Sequence, residues 1–356
     1  MGKDLSFSEM RPAPLVTVLM PVFNCEAYVG EAIESILNQS FRDFEFIVIN
    51  DGSTDRSGDI LARYERMDER VKVYHQENRG IISSLNRGCD LARGRYIARM
   101  DADDISLAER LAKQVRYMEA HPEIGVLGTW IEYVDENGSS QGNWCMPTMP
   151  ALIDWSLFFG SCLAHPSVMM RRDVVEQLGF YRPEALHIED YDLWVRASGV
   201  TRIANIPEIL LQRRDWAGSI CSSHSQIQEE NVVKVVHSMI ARLLKTQVSN
   251  DVVTCLRRTV SGFYSDNLQQ IVSSAGLVRQ LFRTYVKVNP LNRLEATEVA
   301  RDAGKKFYSL AVSASRISLW KGSSILVQAL MLNPQLLSPK IITKGKKILL
   351  RTARLE

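Results

Sequence analysis

Three carboxylates stand within four residues at Asp101-Ala102-Asp103-Asp104, directly after the strand-like run Tyr96 to Met100. Carboxylates that close repel one another and are tolerated where water or a cation screens them. Hard divalent cations take carboxylate and phosphate oxygens together, which is the chemistry of sites that handle nucleoside diphosphates. The competing reading is an acidic turn whose aspartate caps the next helix. A second group, Asn50-Asp51-Gly52-Ser53-Thr54-Asp55, follows the apolar run Phe44 to Ile49. Asp51 can accept hydrogen bonds from a nucleobase edge or a ribose, and Gly52 permits a tight turn beside it. Equally, the stretch reads as a strand–turn–helix with Ser53 or Asp55 as the cap. A third group is Glu189-Asp190-Tyr191-Asp192-Leu193-Trp194. On a helix, Asp190 shares a face with Trp194 four residues on. A carboxylate desolvated beside a large aromatic is a competent general base, although a solvated acidic helix start fits the same residues. His165, in His165-Pro166-Ser167, is either a substrate-positioning residue or a satisfied structural histidine.

These groups need elements to hold them. Apolar runs at Leu15 to Met20, Phe44 to Ile49, Val71 to His75, Tyr96 to Met100 and Ile124 to Leu127 predict strands. Between them, helical spacing covers Glu26 to Leu37, Ser57 to Met67 and Gly80 to Ala92. Ser106-Leu107-Ala108-Glu109 reads as a capping box opening a helix to about Ala120. Strands alternating with helices give a mostly parallel open sheet with right-handed crossovers. Ligands of such sheets sit at the carboxyl ends of the strands, where Pro21 to Asn24, Asn50 to Ser53 and Asp101 to Asp104 fall. From about 130 to 220 the pattern is mixed. Beyond it, His224 to Leu244, Val252 to Phe282 and Leu294 to Leu310 read as helices.

The whole chain bounds the answer. Its 356 residues, 46% hydrophobic and 24% charged, suit a soluble globular protein of about two domains. No apolar run approaches the roughly 18 residues of a membrane-spanning helix, and Met1 to Met10 is no secretory signal. Six scattered cysteines without a CxxC pair favour free thiols over a disulfide or zinc framework. No GxGxxG, GxxxxGK[ST] or HExxH is present. From Arg257 to the end there are 17 Lys/Arg against 5 Asp/Glu. That basic region, set against an acidic front, suggests two different jobs.

Taken in order, the motifs resemble those of the family-2 glycosyltransferases. The resemblance runs from about Leu15 to about Ser222. It is carried by Val18 to Asn24 with Tyr28, Ser35 to Ser40, Val48 to Asp55, Glu77-Asn78-Arg79-Gly80, Asn86-Arg87-Gly88, Ala92-Arg93-Gly94, Met100 to Asp104, His165-Pro166-Ser167 and Glu189 to Trp194. It implies an α/β fold of the GT-A type (nucleotide-diphospho-sugar transferase) with a mostly parallel open sheet and a C-terminal helical region. The implied layout is an N-terminal extension (1–14), a catalytic domain (15–222; nucleotide half 15–130, acceptor half 131–222) and helices with a basic tail (223–356). It further implies that Pro21, Asn24, Glu26, Asp51, Arg79, Asp101 and Arg214 bind the donor. Asp103 with Asp101 would hold Mn²⁺ or Mg²⁺, and Asp190 would be the base of an inverting transfer. His165, Glu189, Trp194 and Trp216 are acceptor or loop candidates.

One position departs from the family pattern. Many relatives read Tyr-Arg-x-His-x-x-Ser after the last core strand; here Arg213-Arg214-Asp215-Trp216-Ala217-Gly218-Ser219 places Trp216 at the histidine. Asp215, His224 or Arg214 could take over its task with the metal and diphosphate. The implied activity is transfer of a sugar from a nucleotide donor, UDP by family habit, to a hydroxyl of a glycan or polyprenyl-linked glycan in surface-polysaccharide synthesis. A sugar-nucleotide nucleotidyltransferase would want a Gly-rich, basic loop after the first strand, and a non-catalytic binding module would lack the acids; neither fits. Lys340, Lys344, Lys346, Lys347, Arg351 and Arg354 predict docking to an anionic leaflet, or else a solvated basic helix. No nucleic-acid motif accompanies them. The expected location is cytoplasmic, on the inner face of the plasma membrane.

Overall fold

A computed structural model describes residues 13–216 and 225–337. The chain divides into two units, residues 1–148 with 162–225 and residues 149–161 with 226–356. The first unit runs β1 (Val16–Val22), α1 (Val29–Leu37), β2 (Phe44–Asp51), α2 (Ser57–Met67), β3 (Val71–Gln76), α3 (Ile81–Leu91), β4 (Tyr96–Arg99), β5 (Ile105–Ser106), α4 (Arg110–Ala120), β6 (Ile124–Val134) and β7 (Ser140–Trp144). After α5 (Pro150–Ser156), which belongs to the second unit, come β8 (Met169–Arg171), α6 (Arg172–Gln177), α7 (Glu189–Ala197) and β9 (Arg202–Arg214).

Hydrophobic burial explains the sheet. Every residue of β1 and β2 is buried, the mark of central strands covered on both faces. The strand order is β3-β2-β1-β4-β8-β6-β9-β5, with β7 on β6. Strands β3, β2, β1, β4, β6 and β9 point the same way, and β8 runs against its neighbours β4 and β6. The sheet is thus mostly parallel. Its β3 edge is half-exposed. Two side chains occupy backbone groups there: Glu65 accepts from the Val73 N–H (2.9 Å), and Arg87 donates to the His75 carbonyl (2.8 Å).

Three local expectations change. Ser106 does not cap α4, which starts at Arg110 behind Glu109 with no side-chain cap. Ser106 lies in β5 instead, its N–H donating to Ser35 Oγ and its own Oγ accepting from Gln39. A tertiary network has overridden the local cap. The helix expected from Glu26 begins at Val29, because Asn24 (φ 46) and Glu26 are tied to the 53–56 turn. The helix expected over Val252 to Phe282 breaks at Gly262, whose φ of 94 lies outside helical space.

The second unit packs α5 with α8 (Ser225–Leu244), α9 (Asn250–Val260), α10 (Leu268–Val288), α11 (Arg293–Ser315) and α12 (Leu319–Leu332). Fully buried Trp155 of α5 donates its indole N–H to Asp302 of α11 (2.9 Å) and meets Phe159, Phe282 and Tyr285 ring to ring. Large aromatics dominate such cores through buried area and edge-to-face contact. Among the described residues no helix is long and apolar enough to cross a membrane.

Candidate active site

Two groups of side chains sit at the carboxyl ends of β1, β2 and β4. The first is a wired corner. Asn24 Oδ1 accepts from the Thr54 N–H (2.8 Å), and the Asn24 N–H donates to Ser53 Oγ (3.1 Å). The Glu26 N–H donates to Asp55 (2.9 Å), while the Glu26 carboxylate accepts from the Arg56 N–H (2.8 Å). Asn50 accepts from Ser53 and meets His75 across β3. Buried Asp51 accepts from Gln76 (2.7 Å) and from the Arg79 and Gly80 N–H groups (2.9 Å each). It thereby faces the N-terminus of α3, where the helix dipole favours negative charge. Gly52 has φ +74, and a Cβ there would stand 2.6 Å from the Asn78 nitrogen, so this turn needs glycine. Pro21 is buried in β1; Asn24, Glu26 and the Arg79 side chain are exposed. Arg79 also lines an open cleft of about 910 Å³ with Asn86, Arg87, Asp90 and Leu186. Asp101, Asp103 and Asp190 do not line that cleft, so it is not where the acids meet.

The second group is an acidic cluster beyond β4. One carboxylate oxygen from each of Asp101, Asp103 and Asp104 lies within 4.8 Å of the others. Asp104 is 1% exposed; its Oδ1 accepts from the Arg214 N–H (2.9 Å), but its Oδ2 has no hydrogen-bond partner. Burial first, then the charges of Asp101 and Asp103, pushes the Asp104 carboxyl well above the usual range. Asp103 is pushed up by burial and then by Asp101. A buried carboxylate oxygen without a partner is costly, and a divalent cation among three carboxylates would relieve it. The donor set is all oxygen, which suits Mg²⁺ or Mn²⁺.

Around this cluster, β9 ends in residues that lock it. The Arg214 guanidinium donates to the Asp103 carbonyl (3.1 Å) and to Glu31 (2.7 Å), and lies 4.6 Å from the Tyr28 ring centre. Trp216 donates its indole N–H to Asp103 Oδ2 (2.8 Å), with its ring edge-on to Tyr28 at 5.3 Å. Trp216 therefore reaches the acidic cluster as a hydrogen-bond donor, a role that indole allows and metal ligation is not. His224 lies outside the described residues, as do Lys340 to Arg354.

Helix α7 supplies the remaining acids. Glu189, Asp190 and Asp192 fill its first turn. Asp190 is half-buried, and its Oδ1 accepts from the Tyr191 N–H (2.6 Å). Burial raises its carboxyl above the ordinary value, against the pull of that N–H, Arg99 and Arg213. Glu189 Oε2 is buried without a hydrogen-bond partner, and burial with the Asp190 charge pushes this carboxyl up to about 7. Asp192 pairs instead with Arg196, which ties α7 to the Leu178 and Phe180 carbonyls. Trp194 is fully buried, its ring T-shaped against His165. Buried His165 bonds through Nε2 to the Tyr181 hydroxyl (2.9 Å), and burial drives its pKa well below the usual value. His165 and Trp194 thus form a packed, neutral support beneath α7.

Arg99, at the end of β4, connects the two acid groups and escaped the sequence reading. It is 5% exposed and ion-paired with Asp101, and its charge also acts on Asp103, Asp104, Glu189 and Asp190. The available signal was an arginine ending an apolar strand two residues before a carboxylate.

The model of the family "Glycosyl transferase family 2" matches residues 17–179. An uncharacterised glycosyltransferase of Haemophilus influenzae is 33% identical over 245 residues, 66% of this chain and 76% of that protein. The O-antigen biosynthesis glycosyltransferase WbnJ of Escherichia coli is 36% identical over 210 residues, 58% of this chain and 81% of that one. Among solved structures, S. aureus TarS 1-349 in complex with UDP-GlcNAc superimposes with a TM-score of 0.56 at 18% identity, covering 90% of each chain.

Proposed function

The chain belongs to glycosyl transferase family 2 and is a nucleotide-sugar-dependent glycosyltransferase; from that premise we propose an inverting enzyme that transfers sugar from UDP to a hydroxyl of a growing surface glycan. The observation that carries the proposal is the pair of charge-strained acid groups, Asp101-Asp103-Asp104 and Glu189-Asp190, joined through Arg99. WbnJ, named for O-antigen biosynthesis, and TarS, solved with UDP-GlcNAc, support the acceptor class and the nucleotide.

In this reading Asp190 takes the proton of the acceptor hydroxyl. The freed oxygen pair attacks the anomeric carbon as the bond to the diphosphate breaks and its electrons leave with the phosphate oxygen. The raised carboxyl of Asp190 suits a base working near neutrality. Asp101 and Asp103 would hold Mn²⁺ or Mg²⁺, whose charge compensates that of the departing diphosphate. Trp216 keeps Asp103 turned toward the cluster. Arg214 holds the Asp103 backbone and adds positive charge. Pro21, Asn24, Glu26, Asp51 and Arg79 shape the nucleotide side, Asp51 by fixing the 76–80 turn. The acceptor is a glycan, free or polyprenyl-linked, presented at a cytoplasmic leaflet.

Donor class is tested by thermal shift with UDP-, GDP- and dTDP-sugars plus Mn²⁺, followed by assay of donor hydrolysis without acceptor. A UDP-sugar should raise the melting temperature by mass action and be cleaved slowly. Stabilisation by GDP- or dTDP-sugars alone would replace UDP, and no stabilisation by any of them would remove the nucleotide-sugar reading of the site.

A further inference from the structure

Helix α12 is the last α-helix among the described residues, and its two faces differ in kind. Gly322, Ile325 and Ala329 form the buried side. Gly322 is packed so closely that an added Cβ would stand 1.9 Å from Ser315 Oγ, so this face is fixed against α11. On the opposite side Trp320 is 80% exposed, Met331 77% and Val327 51%, while exposed Leu319 lies to one flank. Trp320, Ser324, Val327 and Met331 follow helical spacing and fall within an arc of about 60°. A solvent-facing helix surface ordinarily carries charge. This one carries tryptophan, valine, methionine and serine.

The charged residues within α12 and just before it are basic. Helix α12 contains no Asp or Glu, and its single charge is Lys321. Exposed Arg316 precedes the helix. Arg279 is bound to it through Gln328, with Nη2 to Oε1 at 2.6 Å. The sequence then continues beyond Leu337 with 19 residues that hold Lys340, Lys344, Lys346, Lys347, Arg351 and Arg354 against Glu356 alone. Exposed apolar side chains with a cationic surround, and a tryptophan among them, meet the requirements of a bilayer interface. The apolar side chains enter the headgroup boundary while Lys and Arg face anionic phosphates.

We propose that the Trp320–Val327–Met331 face of α12 is a membrane-docking surface that seats the protein on anionic phospholipid, with the basic residues that follow supplying electrostatic attraction. The proposal deepens the reading of a lipid-linked acceptor and rests on it for its purpose, not for its test. Apolar insertion and charge attraction then act together, and each basic residue near such a surface raises partitioning about fivefold.

The full chain is mixed with vesicles of phosphatidylcholine alone, or with 30–40% phosphatidylglycerol, a composition of roughly the charge that attracts polybasic segments, and sedimented. Binding is expected to the anionic vesicles only. Trp320→Glu with Met331→Glu should lower the partition coefficient at least about tenfold, since two inserted side chains are exchanged for charges. Lys344→Glu with Lys347→Glu should lower it and flatten its dependence on salt. Brominated lipid should quench tryptophan emission of the native chain, and Trp320→Phe should remove that quenching. Donor hydrolysis should stay unchanged in all variants, because none touches the acids; a protein inactive on every sugar nucleotide yet bound through Trp320 would break the catalytic reading alone. Full binding by Trp320→Glu/Met331→Glu would overturn the proposal in favour of the tail acting by itself. Loss of a dimer on sedimentation velocity in that variant, with vesicle binding intact, would overturn it in favour of a protein interface.

Discussion

The corner built by Asn24, Asn50, Asp51 and Asp55 and the cluster built by Asp101, Asp103, Asp104, Glu189 and Asp190 are both rich in acids. In the first, the carboxylates of Asp51 and Asp55 accept backbone N–H groups and stay at ease. Hydrogen bonds from Ser57 and nearby backbone N–H groups outweigh burial and lower Asp55 below its ordinary value. In the second, one oxygen of Asp104 and one of Glu189 find no partner, and the carboxyls of Asp103, Asp104, Glu189 and Asp190 are all raised. Satisfied acids position a chain; unsatisfied ones hold energy that a proton, a cation or a substrate can release. The contrast separates scaffold from chemistry among residues of one type.

The sharpest way to break that contrast is Asp190→Asn. Transfer should fall by about 10²–10⁴-fold, the usual loss with a general base, while donor affinity moves only a few-fold. The same pair gives the pH profile its sign. A base must be ionised, and Glu189 is pushed up to about 7 with Asp190 raised beside it. Transfer should therefore decline on acidification, at a higher pH than for an ordinary aspartate. Stability moves the other way at this pair: a raised folded pKa binds protons more tightly than the unfolded chain, so its contribution improves on acidification and is lost as pH rises through about 7. In Glu189→Gln the acid limb of kcat/KM should move to lower pH, since a neighbouring charge is gone while Asp190 must still ionise; a flat native profile would remove the pair from the mechanism.

A middle-sized effect should divide two aspartates. Asp51→Ala strips three accepted hydrogen bonds and leaves the Arg79 and Gly80 N–H groups without them, at roughly 1–3 kcal/mol. Asp104→Asn keeps an acceptor for Arg214 and removes a buried charge, so urea unfolding should show no loss of stability, while Mn²⁺ affinity falls. Equal destabilisation by both would erase the distinction between the regions. The smallest effect is at the cluster's rim. Trp216→Phe preserves an aromatic edge against Tyr28 and deletes one N–H to Asp103, which should cost about 1 kcal/mol and a few-fold in Mn²⁺ affinity by electron paramagnetic titration.

The positions of these groups were legible because parallel strands are apolar runs and their ends are punctuated by Asn, Asp and Gly; β1, β2 and β4 start within one residue of their expected places. What the acids do to one another was not legible, because Arg99 acts from inside a strand and its reach depends on how β4 and α7 meet. The sequence offers Asp51 as a ligand for nucleotide, while the fold spends its oxygens on the 76–80 turn. Residues 149–161, assigned by chain continuity to the catalytic region, pack with the later helices because Trp155 finds Asp302, Phe282 and Tyr285 there. A partner about 130–150 residues away leaves no mark on local periodicity. The false cap at Ser106 shows the same weakness: a four-residue pattern lost to Gln39 and Ser35 from another helix.

The half-exposed edge at β3 has a consequence for how this protein behaves in a crowded cell. An open strand edge is a template on which another chain can add a strand, and large sheets are exposed to that risk while folding. Here Glu65 holds the Val73 N–H and Arg87 holds the His75 carbonyl, so a strand arriving at β3 would have to displace two charged side chains to find its bonds. At the far end of the sheet, β5 is two residues long and too short to guide pairing. The polar strand β7 carries Gly142 at φ 127, which spoils its flatness. The sheet that presents the reacting groups is thereby kept from polymerising at its margins, by side chains that take no part in the chemistry.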